Sequence, residues 1–528
     1  MVAQPRVMDI QINIKPLSAA IAGLMVATMF FSYAECVSES NCPRLPKVPT
    51  ISNTWEDPPG NFLSRVVVST VALGMALLQP VFFKPLRSKL WKQGRVNIVL
   101  GVIACLGLSI VGAVCDSASD PECLGQNTLH TTSAVIFFIL YNGNMVVLTK
   151  ETGHPLAAAA LAVVLTCTKA RWLQPVLAPG LLGDETPLAI FEWTDVLLIC
   201  GWTVWFACAH RPNAAMVLSA GLPHGRRAPP PDAAFFVSLR TLGLAATVLH
   251  TTNLVITLIA ALADGNVPSG TNGTFPSIDS LWVSPPGNWL SRWSVPLAGS
   301  FAMFSHVLMC LCQLQSQPWP EQFEAASPKL SACVHRSKLE VVWHTFAVCG
   351  LLGLTIYGVA NVHEAARLHT VGGGIFVVGY TIFMLGDLLS GLLMYRAYAR
   401  TVSQQTQAGI LPRRSLCHPY SLCRARVRVL PSAALPLAAL AAAVVLLLPM
   451  VPALHGHPLG AVDPKVVAEW VFAVVALGYF SRMVLHWSGP TVGLTMKDGA
   501  APQELLLTTG RTGAAPLLEP VVKQPTKA

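Results

Sequence analysis

Three ionisable residue types recur in the same order in this chain of 528 residues: Arg65, His130 and Glu192, then Arg292, His369 and Glu469. Arginine presents a planar fork that fits a carboxylate or a phosphate. Histidine changes charge near neutral pH, and a neighbouring carboxylate could make it an acid or base. Three uses are open to such a set: mutual pairing that locks a bundle, binding of a lipid headgroup or small molecule, and proton transfer. Pairing is the first reading, ligand binding the second and catalysis the third, because ionisable groups at membrane depth are costly unless partnered. No run reads as a P-loop, a dinucleotide fingerprint or a zinc array, so neither cofactor nor metal is expected.

Each arginine follows a rigid turn. Pro58, Pro59, Gly60 and Asn61 precede Arg65, and Pro285, Pro286, Gly287 and Asn288 precede Arg292. Two fixed φ angles and one permissive glycine define the direction in which the next helix starts. The histidines and glutamates each open a later apolar stretch, which places all six residues near one membrane face.

The elements that must position them are membrane helices. With 53% hydrophobic and 12% charged residues, the chain needs lipid as solvent. Stretches long enough to cross the hydrocarbon run over 17–34, 66–83, 96–114, 131–148, 156–176 and 188–208, then over 237–263, 295–314, 341–360, 371–395, 430–454 and 466–487. The fold class is therefore all-α, with about twelve transmembrane helices as two parallel six-helix repeats. Lys169 and Arg171 interrupt the fifth stretch. The first stretch ends in Ser32-Tyr33-Ala34, as a cleaved leader could, but its counterpart lies mid-chain, so a retained helix is expected.

The net charge of +9 is spread over short segments between apolar runs, which is a topology signal and excludes nucleic acid as a partner. Lys84 to Arg95, Arg226 with Arg227, Lys329 to Lys338, and seven arginines between Arg396 and Arg428 mark one side as cytoplasmic. Both termini are then cytoplasmic, and the Arg/His/Glu sets lie on the opposite face.

The repeat fixes the architecture. Pro49 to Arg65 matches Pro276 to Arg292 at ten of seventeen positions, including Pro-Pro-Gly-Asn. Leu106 to Ile110 then matches Leu352 to Ile356, Leu129-His130-Thr131 matches Leu368-His369-Thr370, and Glu192-Trp193 matches Glu469-Trp470. An even number of spans per copy gives both the same orientation. The expected organisation is a cytoplasmic N-terminus (1–16), a first repeat (17–210), a Pro/Arg-containing cytoplasmic linker (211–234), a second repeat (235–487) and a disordered cytoplasmic tail (488–528).

Cys36, Cys42, Cys115 and Cys123 share the non-cytoplasmic loops and allow three pairings, with Cys115 to Cys123 the first choice. Asn272 heads a glycosylation sequon on the same side. His250, Asn253, Asp387 and Arg482 are intramembrane polar residues with no counterpart in the other copy. Cys417 and Cys423 lie in the arginine-rich loop, where ordinary positive-inside charge accounts for them more simply than lipidation.

The Ile-Ser-(x)-Pro-Pro type of loop after the first span, the His opening the fourth (His130, His369) and the Glu-Trp opening the sixth (Glu192-Trp193, Glu469-Trp470) together resemble the Frag/DRAM/Sfk superfamily of six-span membrane proteins. The resemblance covers both halves and implies lipid-linked membrane biology: autophagy at lysosomes, remodelling of GPI-anchor lipid in the ER and Golgi, or recruitment of phosphoinositide kinase at the plasma membrane. The chain departs from the family pattern in its duplication, and it lacks the large C-terminal domain of the ceramide-remodelling member.

The resulting expectation is a non-enzymatic, multi-pass factor of endomembranes or the plasma membrane. It would bind or organise membrane lipid, with its cytoplasmic loops and tail open to protein partners. A component of GPI-anchor lipid remodelling, which would be an enzyme, and a small-molecule transporter are the alternatives.

Overall fold

A computed structural model describes residues 9–42, 49–56, 59–83, 91–114, 126–165, 186–211, 214–220, 233–263, 276–283, 285–315, 332–360, 362–407, 419–447, 464–486 and 490–496. Among them, ten helices are long and apolar enough to cross a membrane. In the first copy these lie within Ile14–Ser38, Gly60–Phe83, Trp91–Ala113, Gln126–Glu151 and Thr186–His210. In the second they lie within Leu239–Ala263, Gly287–Gln315, Ala332–Val359, Val362–Gln407 and Pro464–His486. Two shorter apolar helices, Pro155–Leu165 and Ala433–Leu447, stand where the fifth and eleventh spans are expected.

The spans are apolar outside as well as inside, as a lipid-facing helix must be. Ile139 is 57% exposed and Val474 62%. Each copy also has its own core. Met29, Val68, Leu78, Phe82, Tyr141 and Phe206 pack in the first, and Val295, Ala347, Tyr380, Phe383, Phe472 and Val484 in the second. Phe301 and Met483 border both cores. The copies meet along the second and eighth spans, where Thr70 Oγ1 lies 3.1 Å from Ser300 Oγ. Close by, Trp293 Nε1 donates to Ser109 Oγ at 2.9 Å.

A feature absent from the sequence reading is a four-stranded antiparallel sheet. Its strands are β1 (Asp9–Asn13), β2 (Ala214–Ala220), β3 (Ala233–Ser238) and β4 (Pro490–Met496), in the order β1-β2-β4-β3. Asp9 pairs with Ser219, Ala214 with Met496, and Ser238 with Thr491. β2 thus falls in the stretch read as a linker, β3 straddles the end of that stretch, and β4 falls in the stretch read as a disordered tail. Residues 212–213, 221–232, 488–489 and 497–528 of these stretches lie outside the described residues.

The sheet decides a question of parity. β1 leads directly into the first span and β2 follows the sixth, while β3 leads into the seventh and β4 follows the twelfth. Because the four strands pair laterally, all four chain ends lie on one side of the bundle. Each copy therefore begins and ends on the same side, as an even number of crossings would have it.

Candidate functional site

Each copy carries a single-turn helix ahead of its Pro-Pro-Gly-Asn turn: Ile51–Thr54 and Ile278–Leu281. Thr50 and Ser277 cap them through side-chain oxygens that accept from Asn53 N and Ser280 N. So short a helix leaves its N–H groups without intrahelical partners, and the predicted glutamates supply acceptors from across the bundle. Ile51 N donates to Glu192 Oε2 at 3.2 Å, and Ile278 N donates to Glu469 Oε2 at 3.2 Å. Asp279 N adds a second bond to Glu469 Oε1 at 3.1 Å. The neighbouring tryptophans bind the same loops, Trp193 Nε1 to Pro49 O and Trp470 Nε1 to Pro276 O, each at 2.9 Å. The Glu-Trp pair is a two-point clamp on a loop about 140 to 190 residues away in sequence.

The histidines are equally well determined. His130 is buried, with Nδ1 2.9 Å from Val114 O and Nε2 3.0 Å from Ser52 Oγ. His369, also buried, repeats this with Nδ1 2.6 Å from Ala360 O and Nε2 3.0 Å from Asp279 Oδ1. Each ring ties the end of the third span in its copy to the short helix.

The copies then diverge. Ser52 in the first corresponds to Asp279 in the second, and Val111 corresponds to Tyr357. The Tyr357 hydroxyl lies 2.7 Å from Glu469 Oε1, makes a close contact with Asp279 Oδ1, and its ring stacks on His369. The second copy thus holds two carboxylates, a phenol and an imidazole where the first holds one carboxylate, a hydroxyl and an imidazole. Burial pushes the Asp279 carboxyl up, but hydrogen bonds from His369 and Tyr357 and the charge of His369 outweigh it and hold the group below its ordinary value.

The arginines do not stay within their own copies. Arg65 and Arg292 are 5% and 2% exposed, and both reach Glu364. Arg65 Nη1 lies 3.1 Å from Glu364 Oε2 and also donates to Val359 O at 2.8 Å. Arg292 Nη2 meets Glu364 Oε1. The helix Val362–Gln407 is interrupted at Ala365, whose φ of −150° and ψ of 64° are non-helical, immediately after this glutamate.

Each turn leads straight into a span. Pro59 O and Pro286 O accept from Leu63 N and Leu290 N, at 3.2 and 3.1 Å, and so begin the second and eighth spans. A Cβ on Gly60 would run into Thr54 O, and one on Gly287 into Leu281 O, so both positions exclude every other residue. Asn61 and Asn288 are buried beside them. Pro58 lies outside the described residues.

The structure therefore brings Arg65, His130 and Glu192 to one end of the first copy and Arg292, His369 and Glu469 to the same end of the second. It adds Glu364, Asp279, Tyr357 and Ser52, which the sequence reading did not single out. Asp279 was visible in the matched loop, but Glu364 stands where the copies differ in length and had no repeat signal. Among the unmatched residues, Tyr479 contacts Asp387 through its hydroxyl, and Asn253 Nδ2 donates to Ser294 Oγ at 2.6 Å. Cys36 and Cys42 are disulfide-bonded. The first-choice partners Cys115 and Cys123 lie outside the described residues, as does the sequon at Asn272. Of the cysteines in apolar runs, Cys105 and Cys200 are buried, but Cys208 and Cys349 are exposed on the outer surface.

The family description Frag1/DRAM/Sfk1/Cwh43P N-terminal domain matches residues 13–208 and again residues 238–487. No curated protein and no solved structure matches the chain. The two matches begin at the ends of β1 and β3 and each covers one complete copy. The chain belongs to the Frag1/DRAM/Sfk1/Cwh43P N-terminal domain family, as a tandem duplication of that domain.

Proposed function

We propose that this protein is a non-enzymatic, multi-pass membrane factor of the DRAM-like type that binds or organises lipid in endomembranes, in autophagy or lipid-linked trafficking. One observation carries the reading: the conspicuous ionisable groups at the loop face are engaged with one another and with backbone groups. Glu364 takes both arginines, the glutamates cap helices, and the histidines bridge spans. Such a network holds a lipid-facing body rigid beneath a closed cover, and it supports a scaffold more than a reacting centre.

The GPI-lipid remodelling alternative draws on the second copy, where His369 Nε2 lies 3.0 Å from Asp279 beside Glu469 and Tyr357. An imidazole against a carboxylate has the composition of a general acid/base pair.

Residence of a tagged full-length protein, scored against lysosomal, Golgi, ER and plasma-membrane markers, separates these readings when combined with analysis of anchor lipids. Acidic vesicles with unchanged anchor lipids support the scaffold. ER or Golgi residence with altered anchor lipids in a deletion strain would overturn it in favour of remodelling.

A further inference from the structure

The two copies can be compared position by position, because the matched loops and histidines fix the register of the second, fourth and sixth spans. In the first copy the centre of the bundle is filled by Val71, Met75, Val196 and Ile199, all at most 5% exposed. The corresponding residues of the second copy are Ala298, Ala302, Ala473 and Ala476. These four alanines line a cavity of about 40 Å³ among the seventh, eighth, ninth, tenth and twelfth spans. Three lining positions run the other way, with Leu351, Leu477 and Phe480 in place of Cys105, Cys200 and Thr203, yet the space remains. A void of this size costs stability unless something occupies it.

A second observation concerns polar atoms. In the first copy the Tyr141 hydroxyl lies 3.1 Å from Thr203 Oγ1. For its counterpart Tyr380, 1% exposed, the position of Thr203 is taken by Phe480, which also lines the cavity, and the Tyr380 hydroxyl has no hydrogen-bond partner. His250, 6% exposed, also lines the cavity and its Nδ1 has no partner. Buried polar groups are nearly always satisfied. Two of them unsatisfied around one apolar cavity, in the copy hollowed by small residues, mark a site built for something that brings its own polar atom.

We propose that the second copy holds an uncharged, slender lipophile, a long-chain molecule with a single hydroxyl or carbonyl oxygen, seated between Tyr380 and His250. The lining carries no charged side chain, which rules out a headgroup phosphate or a fatty acid anion as the inserted part. The Tyr380 hydroxyl donates to the ligand oxygen, and His250 supplies the second contact. At the equivalent place in the first copy, Val71, Met75, Val196 and Ile199 fill the space and Thr203 engages the Tyr141 hydroxyl. This proposal rests on the lipid-binding reading above and assigns that reading a place.

The test uses the full-length protein in native membrane discs with a diazirine-bearing hexadecanol as photoprobe, and mapping of the labelled residues by mass spectrometry. Expected is labelling of the eighth, tenth and twelfth spans around Ala302, Tyr380 and Ala476, and none at Met75, Tyr141 or Ile199. Ala302→Met with Ala476→Ile, which restores the residues of the first copy, removes the labelling without lowering the unfolding midpoint. Tyr380→Phe preserves the shape and weakens labelling about fivefold, the loss expected for one neutral hydrogen bond. The same probe without its hydroxyl labels as weakly in the wild type as the alcohol does in Tyr380→Phe. Equal labelling of both copies, or labelling unchanged by the filled variant, would overturn the assignment. Lipid that still co-purifies with the filled variant in wild-type kind and amount would overturn the cavity alone and leave the lipid-binding reading standing. Absence of any enriched lipid in the wild type would overturn both.

Discussion

Arg65 and Glu364 form a buried ion pair at 3.1 Å although they belong to different copies. The carboxylate also takes Arg292. One glutamate therefore joins two buried guanidiniums, and the carbonyl of Val359 accepts a further bond from Arg65. A six-helix ancestor with a single copy could not make this junction. It is a property of the duplicated chain, and it lies beside the interface formed by the second and eighth spans.

Glu364→Gln removes the anion and leaves both arginines buried. Breaking a buried pair by removing one partner costs about 3–5 kcal/mol, so the unfolding midpoint of the purified protein should fall sharply. A midpoint within error of the wild type would show that solvent or a lipid phosphate supports the arginines instead.

Glu192→Gln and Glu469→Gln each replace charged helix caps with neutral ones. Hydrogen bonds to charged groups contribute about 1.5–3 kcal/mol, and these two glutamates have no partner in common in the bonds described, so their effects should add. Limited proteolysis should show faster cutting near residues 49–56 in the first variant and 276–283 in the second. Unaltered cutting in both would separate the glutamates from loop fixation.

Gly60→Ala and Gly287→Ala each drive a methyl group into a backbone oxygen. Neither oxygen can rotate away as a side chain could. Both variants should lose monodisperse protein on size-exclusion chromatography, whereas Gly143→Ala, with nothing near its added Cβ, should behave as wild type. Normal elution of Gly287→Ala would contradict the close approach.

The architecture was legible because lipid demands long apolar runs and because duplication repeats whatever matters to both copies. Arg65, His130 and Glu192 were found through their counterparts, and the structure gives each a defined partner. The repeat gave no such signal for three others: Tyr357 stands where the first copy has Val111, Glu364 lies in a loop whose length differs, and Asp279, although inside the matched loop, replaces Ser52. The sheet escaped notice for another reason. Ala-Ala-Met-Val-Leu-Ser-Ala, the sequence of β2, lacks the strict alternation that marks a half-buried strand, and its partners β1 and β4 lie at opposite ends of the chain.

Asp279 should give the cover an acid limit. Its folded-state value is held below the ordinary 3.8, so its contribution to stability is complete above that pH and is lost as pH falls through the lower folded value. The unfolding midpoint of the wild type, compared with that of Asp279→Asn, should converge only below about pH 4. Convergence at mildly acidic pH would mean that the carboxyl is not depressed.

Cys36 and Cys42 close a short loop at the end of the first span. A disulfide persists only in an oxidising compartment, so these thiols should resist alkylation until reductant is added. Loss of the crosslink in Cys36→Ser with Cys42→Ser should cost about 2 kcal/mol on the loop-closure account. Prompt alkylation of native protein would place this face in a reducing compartment and reverse the expected orientation.

Whether the duplicated bundle binds or organises lipid is decided by the lipids that accompany the full-length protein when membrane is excised around it without detergent. A lipid-binding bundle enriches a particular lipid class over the bulk membrane and retains it when detergent exchange strips the loosely held annulus. A lipid profile indistinguishable from the surrounding membrane, in protein shown to be folded by its unfolding transition, would contradict it.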